Sequence, residues 1–100
     1  MGNFICYDLN DRIKTEIIEL AKIHNINKVI LFGSRARGDN NKRSDIDLAI
    51  SGGDFIRFSL DVEDKVWTLL KFDIVNLDKE NNPGLLAEIG REGTLLYEKT

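Results

Sequence analysis

Residues 45–50 read Asp-Ile-Asp-Leu-Ala-Ile, a pattern of period two. Successive side chains on a β-strand point to opposite faces, so Ile46, Leu48 and Ile50 line one face and Asp45, Asp47 and Ala49 the other. A helix, with 3.6 residues per turn, would scatter both sets. The segment is therefore a strand with its Ile46/Leu48/Ile50 face covered and its other face carrying charge. Two carboxylates on one side repel each other and resist burial. Their Cα atoms stand roughly 6.6 Å apart along a strand, close enough for both side chains to reach a common cation.

The rest of the chain supplies the layers such a strand needs. Ile13, Ile17, Leu20 and Ala21 recur at helical spacing within residues 10–25, with Asp8 or Asn10 as N-cap. Residues 28–32, Lys-Val-Ile-Leu-Phe, form a short apolar run rich in β-branched residues, the signature of a buried strand. Residues 33–44 have turn composition, and Ser34 to Arg37 can open a short helix. A helix over 55–70 places Phe55, Phe58, Val62, Val66 and Leu69 on one stripe and Ile56, Leu60 and Trp67 on a second. Asp54 is positioned to cap it. A strand over 71–77 carries Asp73 near its start. Residues 81–93 read as a short helix with Asn82 as N-cap, Pro83 at its first position and Gly93 beyond its end. Residues 94–98 form a last strand. The order predicts an α/β (α+β) fold: one domain over residues 1–100, a small mixed sheet of about four strands, and helices on one face.

Composition narrows the function classes. With 42% hydrophobic and 31% charged residues the chain is an ordinary globular protein, and no apolar run approaches the roughly 18 residues of a membrane span. A net charge of −3 argues against a broad basic face for nucleic acid. Four of the fourteen basic residues nevertheless fall between Arg35 and Arg43, beside the paired aspartates. The single Cys6 has no partner for a disulfide or a metal site, and with no secretory signal this gives a cytoplasmic expectation.

The chemistry follows from residue type. Asp45, Asp47 and, from another strand, Asp73 form an oxygen-only set with no histidine or cysteine beside it, which suits Mg²⁺ or Mn²⁺ rather than zinc. Asp78, just past that strand, is the rival third carboxylate. Mg²⁺ keeps phosphates among its ligands, and residues 33–38, Gly-Ser-Arg-Ala-Arg-Gly, supply the matching half. Gly33 permits close backbone approach, Ser34 offers a hydroxyl and an N–H, and Arg35 and Arg37 bring fixed positive charge. For Arg35, Lys42 and Arg43 a solvated loop is the competing reading. His24, near a helix end, is explained by dipole or capping contacts and receives no catalytic role. Other motifs fail: Asp39-Asn40 stands where a P-loop needs Lys-Ser/Thr, the turn glycine and final glutamate of an EF-hand are missing, and so is the third glycine of a dinucleotide fingerprint.

Phe-Gly-Ser-Arg-Ala-Arg-Gly (32–38), then, with ten residues intervening after Ser34, Asp-Ile-Asp-Leu (45–48), and later Phe-Asp-Ile-Val (72–75) together resemble the signature of the DNA polymerase beta-type nucleotidyltransferase superfamily. With residues 82–98, the chain from about 10 to 98 is similar to the minimal nucleotidyltransferase (MNT) antitoxins. That resemblance implies transfer of AMP from ATP with release of pyrophosphate. It implies that Asp45 and Asp47 hold two Mg²⁺ ions, that Asp73 shares one and helps deprotonate the attacking hydroxyl, and that Gly33, Ser34, Arg35 and Arg37 hold the triphosphate. It further implies a polymerase beta-like fold and a HEPN-family toxin as partner and acceptor, adenylylated on a tyrosine hydroxyl, in a hetero-oligomer of a type VII toxin–antitoxin pair. Two alternatives stand beside it: an antitoxin acting by binding alone, and a nucleotidyltransferase acting on a small molecule.

Overall fold

The computed structural model describes residues 11–33, 45–66, 68 and 71–99. Seven elements follow one another: α1 (Asp11–Ile23), β1 (Lys28–Phe32), β2 (Ile46–Ser51), α2 (Phe55–Lys65), β3 (Phe72–Asn76), α3 (Pro83–Glu92) and β4 (Thr94–Glu98). The strands form one sheet in the order β3-β2-β1-β4. β1 runs antiparallel to β2 and to β4, and β2 runs parallel to β3. The mixed four-stranded sheet is the one expected.

The helices divide differently from the expectation of a single covered face. α1 gives Ile13, Ile17, Leu20 and Ala21, and α2 gives Phe58 and Val62, with Val66 just past its end, to a core with Val29, Leu31, Ile46, Leu48 and Ile50. α3 lies on the other face, where Ile89 packs on Phe32 and Ala49. Handedness accounts for this. Crossovers between parallel strands are right-handed, and α2 carries the chain from β2 outward to β3. α3 then carries it back across the sheet to β4, which runs parallel to β3, so right-handedness puts it on the opposite face. Element order alone does not contain that reversal.

Local signals explain the element ends. Asp54 accepts a hydrogen bond from the Arg57 N–H at 3.1 Å and caps α2; Asn82 accepts from Gly84 and Leu85 at 2.9 and 3.3 Å and caps α3, with Pro83 at the first position. Asn25 closes α1 in the left-handed region (φ 58°), and the Ile26 N–H reaches back to the Ala21 carbonyl at 2.9 Å. α2 ends at Lys65, short of residue 70, because Val66 is already extended. With β3 starting at Phe72, a longer helix would leave too little chain to turn. The proposed caps Asp8 and Asn10, and Cys6, Trp67 and Leu69, lie outside the described residues. Among the described residues no helix is long and apolar enough to cross a membrane.

Gly90 sits exposed inside α3, and a Cβ built there meets nothing within 4 Å. Gly90→Ala therefore raises stability by about 0.5–1 kcal/mol, because alanine loses less backbone entropy in a helix. A urea midpoint measured beside the wild type checks this.

Candidate functional site

The parallel pairing of β2 with β3 decides where the carboxylates go. Asp47 and Asp73 are direct partners in the register, one rung after Ile46 and Phe72. Paired strands lie about 4.8 Å apart, and in-register residues share a face, so the two carboxylates stand side by side. Alternation agrees: Phe72 and Ile74 pack into the α1/α2 core, while Val75 joins the α3 cluster on the face that Asp73 shares. Asp45 immediately precedes β2 and is exposed, and a 2.9 Å bond from the Ile46 N–H to the Lys71 carbonyl ties the two strands together there. Asp47 is half-buried and Asp73 is exposed.

On its other side Asp47 pairs with Phe32, and Gly33 follows directly. Gly33 is buried and left-handed (φ 79°). A Cβ built on it would overlap the Asp47 carboxylate, lying 3.2 Å from its Cγ and closer still to Oδ2. The glycine turn and the paired aspartates, separated by a dozen residues in the chain, thus touch in space. Phe32 and Ala49, held beneath Ile89, form an apolar floor next to this contact.

The carboxylates form an oxygen donor set that fits a hard divalent cation. Among the described residues, no three His, Cys, Asp or Glu side chains are gathered tightly enough to hold an ion. The backbone brings Asp47 and Asp73 to neighbouring positions on adjacent strands. Ser34, Arg35, Arg37, Lys42 and Arg43 lie outside the described residues.

The rival Asp78 has other work. It accepts from the Gly52 N–H at 2.7 Å and the Ser51 hydroxyl at 3.1 Å, fastening the turn after β2. That turn is about 13 Å along the strand from Asp47. His24 is likewise structural: its Nε2 lies 2.7 Å from Asp61 Oδ2 and joins α1 to α2. This hydrogen bond, against the opposing effect of desolvation and with smaller help from the charges of Lys65, His24 and Arg57, holds the Asp61 carboxyl below the usual carboxylate range. A depressed folded-state pKa means that the unfolded chain binds the proton more readily. The contribution is full above the unfolded value, near pH 4, and is lost as pH falls through the lower folded value. Asp61→Asn therefore flattens the acid limb of the stability curve below about pH 4, measured by thermal unfolding at stepped pH.

Comparison with known proteins places this geometry in context. The family described as "Polymerase beta, Nucleotidyltransferase" matches residues 15–100. The Methanocaldococcus jannaschii protein named "Putative protein adenylyltransferase MJ0604" is 46% identical over 81 residues, covering 72% of this chain and 79% of its own length. A toxin-antitoxin crystal structure with AMP-PNP aligns at a TM-score of 0.69 with 21% identity, covering 86% of this chain and 73% of that one. A mutant of the toxin-antitoxin MntA-HpeT aligns at 0.70 with 20% identity, covering 91% and 75%. At these identities the two structures establish the likeness of fold.

Proposed function

This chain belongs to the polymerase beta nucleotidyltransferase family, and from that premise we propose that it transfers AMP from ATP to a hydroxyl, a tyrosine's, on a partner HEPN-family toxin and so acts as an antitoxin. The observation that carries the reading is the Asp47–Asp73 rung abutting Gly33. It unites a cation-binding carboxylate set with a glycine turn suited to phosphate. The name of the Methanocaldococcus relative supports a protein as acceptor, and the toxin-antitoxin neighbours support a toxin as that protein.

In the reaction, the acceptor oxygen forms a bond to the α-phosphorus, the bond between that phosphorus and the bridging oxygen breaks, and pyrophosphate leaves. Asp45 and Asp47 would hold two Mg²⁺ ions, with Asp73 sharing one. When bound, paired divalent ions supply charge stabilisation at the attacking and leaving oxygens. Asp73, on the edge strand, takes the proton of the incoming hydroxyl. Gly33, on the opposite flank, receives the triphosphate together with Ser34, and Arg35 and Arg37 neutralise its charge.

The test is an intact-mass measurement. The chain is mixed with a candidate HEPN-family toxin and Mg-ATP, and the toxin is weighed. A gain of one or more AMP units supports the reading. Neutralisation of the toxin with no change in its mass overturns it in favour of an antitoxin that acts by binding alone.

A further inference from the structure

Helix α2 carries an apolar stripe that the core does not use. Ile56 and Leu60, one turn apart, are 69% and 63% exposed, and Ile23 at the end of α1 is 68% exposed. The His24–Asp61 hydrogen bond joins the end of α1 to α2 at this level. An open hollow of about 820 Å³, lined by His24, Phe55 and Ile56 among others, adjoins it. Large aliphatic side chains grouped in this way, unlike singly scattered ones, mark an interaction surface.

We propose that this surface joins two copies of the chain back to back, through antiparallel packing of their α2 helices. A twofold interface must complement itself, and one flank of the stripe does so through Arg57 and Asp64. At 100° per residue, Arg57 and Asp64 lie on the same flank of Leu60. An antiparallel crossing at Leu60 therefore sets Arg57 of each copy beside Asp64 of the other, twice over. Both groups are available for this. The Arg57 side chain is 78% exposed and makes a loose 3.7 Å contact with Asp54, while Asp64 is exposed and forms no ion pair among the described residues. Because α1 and α2 cover the face opposite Asp47 and Asp73, both carboxylate sites face outward in the dimer.

Sedimentation equilibrium of the full chain from about 1 to 200 µM tests the proposal. The wild type is expected at twice its 11.4 kDa mass. Leu60→Asp is expected to weaken association by roughly 100-fold or more, as for a central interface anchor. Arg57→Asp and Asp64→Arg each weaken it by about tenfold, and the double variant recovers the wild-type value. All three positions are solvent-facing, and far-UV circular dichroism verifies that each variant is folded. A wild type that stays at 11.4 kDa throughout overturns the proposal, as does a dimer indifferent to Leu60→Asp. A monomeric wild type that needs Leu60 to hold a different protein assigns the surface to that protein and overturns it as well.

Discussion

Asp47→Asn is expected to lower AMP transfer by roughly 10³-fold or more, about 4 kcal/mol of transition-state stabilisation, with the fold retained. Asp47 is the carboxylate at which the described strands and the glycine turn of the candidate site meet. It pairs with Asp73 on one side and Phe32 on the other, and its carboxylate lies against Gly33. An amide keeps the shape but loses the charge a divalent cation requires. Transfer to the toxin is followed by intact mass. A second readout separates a lost site from a damaged fold: Mg²⁺ with AMP-PNP raises the unfolding temperature of the wild type, by about 2.7 kcal/mol of linkage at a hundred times the dissociation constant, and fails to do so for Asp47→Asn. A variant that transfers AMP at the wild-type rate removes the carboxylates from the chemistry.

The sequence carried the sheet and the carboxylate pair because both rest on short-range patterns. Alternation over residues 45–50 dictates which side chains share a face, and the buried Ile46, Leu48 and Ile50 beside the half-buried Asp47 follow from it. Asp54, Asn82 and Pro83 were legible because caps act within one turn. Less accessible was what depends on strand order. Nothing local says that β3 lies parallel to β2 with Asp73 opposite Asp47, or that the return to β4 sends α3 to the carboxylate face. The choice of Asp73 over Asp78 is of the same kind. Both are aspartates near one strand, and what separates them is that Asp78 spends its oxygens on Ser51 and Gly52 at the far end of β2. The stripe of Ile56 and Leu60 was visible as a pattern, but periodicity cannot distinguish a second core face from a surface; the single layer of helices on that side leaves both residues in solvent.

Gly33→Ala is expected to cost both stability and activity, through two separable effects. At φ 79° an L-residue is disfavoured by about 1–2 kcal/mol, because its Cβ crowds the neighbouring carbonyl oxygen. The added methyl would also occupy the place of the Asp47 carboxylate, so either that side chain turns away or the end of the β1–β2 pairing opens. Displacement of a positioned group by about 1 Å is enough for a 10²-fold loss of rate. Transfer should therefore fall by about 10²-fold or more, and the urea midpoint should drop by an amount corresponding to about 1–3 kcal/mol. Gly90→Ala, the same change in an open helical position, moves stability in the opposite direction and controls for the substitution itself. If Gly33→Ala instead unfolds at the wild-type midpoint and transfers AMP at the wild-type rate, Gly33 is not pressed against Asp47, and the join between the glycine turn and the carboxylates is lost with it.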